Sequence, residues 1–379
     1  MHKPHFVSRP AHVPVDGDLT LAHMLRDTGG NTGNLLFISS LRRVLGDERS
    51  TSGVAFEPTH LRECDGLIVP AANWLKASSD FGNLAARIEA TTLPCVVVGL
   101  GAQAPKEGQI PKLQPGTLRF LSVVAERSKS IAVRGEFSAQ VLEAYGFKEV
   151  VVTGCPSLLW HVDRGANVAK QSKRIAKISI NGTRGEFDEV AFKPVYEPGL
   201  QLARMAMRLS ADYVAQTELP DMYFGMERFA EEDGVYERAL AFVKRIYGVE
   251  DEMALRGYLT AHVKTFFNVE TWIDYLRKRD FAIGTRLHGI IAALLAGTPG
   301  LLLTHDSRTT EAARALSIPS IDARSFDYKS SLQELYDAVS FDEFNDAQDA
   351  YIERFRQFFK DNGVSHRLPE KRSAVSVFA

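Results

Sequence analysis

The stretch that most limits what this chain can fold into runs from Asp280 to Glu311, DFAIGTRLHGIIAALLAGTPGLLLTHDSRTTE. Phe281, Ala282 and Ile283 form a short apolar run, and Gly284–Thr285 turns the chain. Leu287, Ile290, Ile291, Leu294 and Leu295 then recur at helical spacing and make one apolar stripe. Gly297 ends that predicted helix, Pro299 forbids its continuation, and Leu301, Leu302 and Leu303 read as the next buried strand. Thr285 is the expected N-cap, which places Arg286, Leu287 and His288 in the first helical turn. Backbone N–H groups without intrahelical partners face outward there, and the helix dipole favours an anion.

The same alternation holds along most of the chain. Strands are expected at Gly66–Pro70, Pro94–Gly99, Ile131–Val133 and Val150–Val152, with helices at Asn34–Leu45, Phe81–Ala90, Thr117–Ser128 and Phe137–Tyr145. Periodicity lapses near His161–Arg174. A second set follows: strands Ile175–Ile180, Asp212–Gln216 and Val263–Phe267, helices Leu200–Leu209 and Val269–Lys278, and a helical insert over Met222–Leu259. Strands separated by helices imply a parallel sheet, and runs such as VVV and LIV suit strands covered on both faces. The expected fold is α/β, with two Rossmann-like domains facing a cleft and a C-terminal helix. Residues 1–18 read as a loosely ordered lead-in, 19–165 as the first domain, 166–340 as the second and 341–379 as a helical tail.

Bulk properties exclude several classes. A formal net charge of -2 over 379 residues makes no electrostatic case for nucleic acid. No apolar run approaches the ~18 residues a membrane-spanning helix needs, so peripheral membrane contact is the most to expect. The N-terminus lacks the apolar core of a signal peptide, which points to the cytoplasm. Cys64, Cys95 and Cys155 are far apart without a CxxC pair, so they read as reduced thiols, and no metal site is expected.

In such folds ligands bind beyond the carboxyl ends of the strands, which singles out five loops. The Asp27–Asn34 loop offers Asn31, Gly33 and Asn34 to a ligand, with a tight turn capped by Thr32 or Asn34 as the competing reading. It matches neither a dinucleotide fingerprint nor a P-loop. Gly99–Gln103 is a strand-end glycine loop in which Gln103 could meet a ligand. Arg134 could present its planar fork to a carboxylate or phosphate, or pair with Glu136. Arg286 and His288 share the Thr285 helix mouth. Arg308 would add to the same positive cleft, while Asp306 is either a helix cap or a cleft carboxylate.

Together these residues resemble the polysaccharide pyruvyl transferase family. The similarity rests on the Gly30–Asn34 loop, the V-R-G-x-x-S stretch Val133–Ser138, the G-x-P at Gly154–Pro156, and the R-L-H block within Thr285–Pro299. It implies a glycosyltransferase GT-B-like architecture and transfer of pyruvate, as a ketal, from phosphoenolpyruvate to hydroxyls of a surface-polysaccharide sugar, free or lipid-linked. No cofactor is implied beyond phosphoenolpyruvate as donor. Arg286 and His288 match residues linked to donor binding and catalysis, and Arg134 matches a family arginine; the loops themselves add Arg308, Thr285, Asn31, Gly33, Asn34, Gln103 and Asp306 as substrate-binding candidates. Asp306 and Glu136 stand as candidate bases because they border the cleft. Asn34 and Cys155 occupy positions where relatives often carry acids. Two alternatives follow: a sugar-nucleotide glycosyltransferase, or an inactive sugar- or anion-binding homologue. Against the first, the E-x7-E pattern counted from Glu311 ends on Pro319.

Overall fold

Strands form where apolar runs can be covered on both faces, and all of them pair in parallel. The computed structural model describes residues 1–15, 18–46, 52–61, 63–104, 108–163, 165–184 and 196–370. In the first half, β1 (Pro4–Phe6), β2 (Gly66–Pro70) and β3 (Cys95–Val98) form one sheet in that order. A parallel bridge between Leu100 and Val133 continues it into β4 (Ile131–Val133) and β5 (Val150–Val152). The second half contains β6 (Ile178–Asn181), β7 (Asp212–Val214), β8 (Val263–Lys264), β9 (Phe281–Gly284), β10 (Gly300–Thr304) and β11 (Ser320–Asp322).

These six strands lie in the order β8-β7-β6-β9-β10-β11. The chain starts at β6 in the middle, runs outward through β7 and β8, then returns to the other side at β9. That is the doubly wound Rossmann order, and the reversal between β6 and β9 opens a crevice at their carboxyl ends. Register there pairs Asn181 with Gly284. The two sheets, with helices packed on their faces, are the two Rossmann-like units expected.

Three features depart from expectation. The lead-in is anchored: Pro4, His5 and Phe6 pair with Gly66, Leu67 and Ile68, and Phe6 is fully buried. A three-residue edge strand is too short for periodicity to reveal. The helix after β9 starts at Leu287, with Arg286 rather than Thr285 at its N-cap. Thr285 cannot cap because its Oγ1 accepts the Thr183 N–H at 2.7 Å. The tail is helical at Asp342–Asp346 and Gln348–Asp361, yet it docks on the first half. Tyr351 donates to the Cys155 carbonyl at 2.6 Å, and Asn362 accepts from the Lys129 N–H at 2.9 Å. Residues 371–379 of the expected tail lie outside the described residues. No described helix is long and apolar enough to cross a membrane.

Candidate functional site

A narrow pocket of about 50 Å³ lies where the carboxyl ends of the two sheets meet. The first half contributes Asn31 and Asn34 from the mouth of the Asn34–Leu45 helix, Ala72 and Asn73 beyond β2, and Arg134 beyond β4. The second half contributes Thr183 beyond β6, Gln216 beyond β7, Thr285–His288 beyond β9 and Arg308 beyond β10. The halves touch closely here. Thr32 donates to the Gln216 carbonyl at 3.0 Å. A Cβ on Gly33 would lie 2.7 Å from Gln216 Oε1 and 2.9 Å from His288 Cβ, so only glycine permits this approach.

Arg134 is buried and carries no ion pair among the described residues. Its Nε donates to the Gly99 carbonyl at 2.7 Å and its Nη2 to the Ala71 carbonyl at 3.1 Å. The guanidinium lies over the Phe37 ring, 5.3 Å from its centroid. Glu136, its expected alternative partner, is exposed on the first turn of its helix and lines no part of the pocket, which also removes it as a candidate base.

Arg286 is fixed from the opposite side. It pairs with Glu218 and donates to Thr217 Oγ1, while its own N–H bonds Asn181 Oδ1 at 2.9 Å. Burial alone would raise the Glu218 carboxyl. The Arg286 and Arg184 guanidiniums and the Thr217 and Gln216 N–H groups outweigh it and hold Glu218 down to about 2. Glu218 is thus a permanent counter-charge that orients Arg286, not a base.

His288 is buried within reach of both halves. Its Nε2 lies 3.6 Å from Cys155 Sγ, which in turn lies 3.3 Å from Ser157 Oγ. Its ring leans on Phe37, with centroids 5.7 Å apart. Burial first, then Arg134 and Arg308, hold its pKa well below the usual imidazole value. The pocket therefore holds a neutral histidine, not the second cation that the helix mouth alone would suggest.

Asp306 does not line the pocket. It caps the Ser307–Ala315 helix, accepts the Thr309 N–H at 2.8 Å and pairs with Arg308 at 3.2 Å. Burial raises its carboxyl, but Arg308, His305 and the Thr309 hydrogen bonds overcome that and hold it down. With its oxygens so engaged, it is a poor base. Gln103 also lies apart; its N–H bonds the Leu75 carbonyl at 3.1 Å, and Asn73 occupies the wall in its place.

The pocket thus joins Asn31, Asn34, Arg134, Thr285, Arg286, His288 and Arg308, with Gly33 behind its wall. Sequence reasoning missed Phe37, Asn73, Asn181, Thr183, Gln216 and Glu218. Most of these are polar residues just past an expected strand, a signal that strand-end position alone could have supplied. Five lining residues hold buried polar atoms with no protein partner: Asn73 Oδ1, Thr183 Oγ1, Gln216 Nε2, Arg286 Nε and Arg308 Nε. Such groups cost about 1–3 kcal/mol each and gather where a polar ligand is to be met. No carboxylate lines the pocket. Among the described residues, no three His, Cys, Asp or Glu side chains gather as metal ligands.

A family model described as polysaccharide pyruvyl transferase matches residues 21–307. No curated protein matches significantly. Among solved structures, a UDP-N-acetylglucosamine 2-epimerase aligns at TM-score 0.43 and 12% identity, over 90% of this chain and 81% of its own. A trehalose-6-phosphate synthase aligns at 0.38 and 11%, over 80% and 73%. The Neisseria meningitidis UDP-GlcNAc 2-epimerase, bound to UDP-GlcNAc, aligns at 0.36 and 11%, over 92% and 79%. At these scores the fold assignment rests on the strand order itself.

Proposed function

Since the chain belongs to the polysaccharide pyruvyl transferase family, we propose that it transfers pyruvate as a ketal from phosphoenolpyruvate to two hydroxyls of a surface-polysaccharide sugar. The observation that carries this reading is Arg134. A buried guanidinium with no direct ion pair, its nearest carboxyl Glu311 acting only at a distance, is costly unless an anion completes it. Here it shares a carboxylate-free pocket with Arg308, Arg286 and a neutral histidine. A small dianion suits that set, and phosphoenolpyruvate offers both a carboxylate and a phosphate to planar guanidinium forks.

In this reading Arg286, Arg308 and the Leu287 helix mouth hold the donor from the second half, residues 166–340. Arg134 closes on it from the first half, residues 19–165. Asn31, Asn34 and Asn73 remain to meet the acceptor, which approaches from the mouth of the narrow pocket. The reaction balances without a cofactor. A proton adds to the donor methylene carbon and one sugar hydroxyl oxygen bonds to C2. The C2–O bond to phosphate then breaks, and a second hydroxyl oxygen closes the ring. Of the two hydroxyl protons, one is matched by the new C–H bond and the other leaves with phosphate. Neutral His288 can take the first hydroxyl proton, and as imidazolium beside bound anions it can return one. General acid–base help of this kind is worth roughly two to four orders of magnitude. The cytoplasm is the proposed compartment.

Titration calorimetry with phosphoenolpyruvate tests the reading. The wild type should bind it, Arg134→Ala should weaken binding at least about tenfold, and phosphate should be released when a competent saccharide is added. Binding without release on any acceptor would favour the inactive-homologue alternative. A preference for nucleotide sugars would favour the glycosyltransferase alternative. That enzyme would need Glu311 for a ribose, but the Glu311 carboxylate already accepts from Ser138 at 2.7 and 2.9 Å.

A further inference from the structure

The Glu311–Ser138 contact lies outside the pocket lining, yet it ties the helix that follows Arg134 to the helix that carries Arg308. Arg134 and Ser138 bracket the start of the Glu136–Ala144 helix in the first half. Arg308 and Glu311 lie one turn apart on the Ser307–Ala315 helix in the second half. Ser138 Oγ donates to Glu311 Oε1 at 2.7 Å, and the Ser138 N–H donates to Oε2 at 2.9 Å. The Ala102 N–H donates to the same Oγ at 2.8 Å, which brings in the loop after β3. Both side chains are buried. Gly135 makes the approach possible, since a Cβ there would lie 2.8 Å from Glu311 Oε2 and 2.9 Å from Glu311 Cβ.

We infer that Glu311 and Ser138 are positioning residues that set the separation of Arg134 and Arg308 across the cleft, so that one small dianion can engage both. The inference rests on the reading of the pocket as a donor-anion site. Its physical basis is the placement of the contact. The Glu311 carboxyl sits at the mouth of a helix whose N–H groups and dipole favour its charged form, although burial outweighs them and raises its pKa, and it is on a short lever from each arginine. The halves cannot slide or part without losing two buried hydrogen bonds, one of them donated by the Ser138 N–H in the first turn of its helix. A guanidinium displaced by about 1 Å from its productive place can cost on the order of a hundredfold. Two helices that only packed would have no reason to bury a carboxylate between them.

A double-mutant cycle on phosphoenolpyruvate affinity tests this. Ser138→Ala and Arg308→Ala should each weaken binding at least about tenfold. Together they should weaken it little more than the worse single change, because the first has already misplaced the arginine. Glu311→Gln keeps a carbonyl oxygen for the Ser138 N–H and should fall between wild type and Ser138→Ala. Simple additivity, or unchanged affinity in a Ser138→Ala protein that has only lost stability, overturns the inference. Hydrogen exchange on the free protein supplies a readout without donor. Glu311→Gln should speed exchange at 134–138 and 307–311 together and spare β6 and β9; acceleration on one side alone, or none, also overturns it. If the wild type fails to bind phosphoenolpyruvate, the functional reading fails, and the exchange experiment still decides the positioning role.

Discussion

His288 has a buried thiol on one side and two guanidiniums nearby, and this setting fixes how it responds to protons. Its pKa is depressed by burial, Arg134 and Arg308. A bound dianion offsets both arginines, so the pKa rises on binding and the histidine takes up protons. Near pH ~6.5, about the unperturbed imidazole value, calorimetry in buffers of different ionisation enthalpy should find more proton uptake for wild type than for His288→Gln. Equal uptake would remove the histidine from the donor site. The sign for stability follows from the same shift. The unfolded chain binds this proton first, so stability is full above about pH 6.5 and falls as pH drops below it. His305, pushed down to about 4 mainly by burial, adds a loss of the same sign. His288→Gln should therefore flatten the acid limb of a melting-temperature profile without abolishing it. Cys155 is the adjustable neighbour. Cys155→Asp places a carboxylate beside Nε2, which raises the histidine pKa by direct attraction, so both donor-linked proton uptake and the acid-limb slope should shrink. If neither changes, the 3.6 Å contact has no electrostatic consequence.

At the scale of elements, the short loop after β7 does more for the site than its length implies. Thr217 and Glu218 hold Arg286 from beneath, and Arg184, itself paired with Asp221, adds a second buried cation to the same network. Glu218→Ala leaves Arg286 buried without its counter-charge and should cost about 3–5 kcal/mol in urea unfolding; a loss below about 1 kcal/mol would show the pair to be solvent-relaxed. Because the Glu218 carboxyl is held near 2 in the folded state, its contribution is complete above the ordinary glutamate value of 4.5 and fades as pH falls toward 2. None of this was legible from sequence, where Thr217–Pro220 fall between an expected strand and an expected helical insert. The parallel sheets were legible, because strands covered on both faces must be unbroken apolar runs such as Val96–Val98 and Leu301–Leu303. The arginine–histidine block was legible for a related reason: its cationic residues interrupt an otherwise apolar strand–helix unit. Thr285 was misread as a cap because its competitor for the hydroxyl, the Thr183 N–H, lies 102 residues away. The Glu311 contact with Ser138 was hidden likewise, its partner being 173 residues distant. Local pattern reports what a residue can do, while long-range contacts decide which option it takes.

For the molecule as a whole, the question is whether the two halves and the tail are separable. One hydrophobic cluster contains Ile68 and Val96 of the first sheet, Leu36 and Leu41 of the helix between the halves, Trp272, Ile290 and Leu294 of the second half, and Phe344, Phe355 and Phe359 of the tail. Interfaces between independent domains are more polar than this. The tail is thus part of the core of a half from which it is far removed in sequence. Phe344, Tyr351, Phe355, Phe358 and Phe359 are all buried. At about 1.5–3 kcal/mol for each such side chain, their combined burial is comparable to the roughly 5–15 kcal/mol by which a typical domain is stable. A chain ending at residue 340 should therefore fail to reach a native state, with lost near-ultraviolet dichroism and no cooperative melt, although every pocket-lining residue is retained. A truncated protein that melts cooperatively near the wild-type temperature would make the tail an appendage and would require the first sheet to be covered some other way. Tyr351→Phe is the milder test. It removes only the hydroxyl that donates to the Cys155 carbonyl, leaves a buried acceptor unpaired at about 1–3 kcal/mol, and should loosen the Cys155 backbone beneath His288. Donor affinity should then fall along with stability, linking the tail to the pocket through one hydrogen bond.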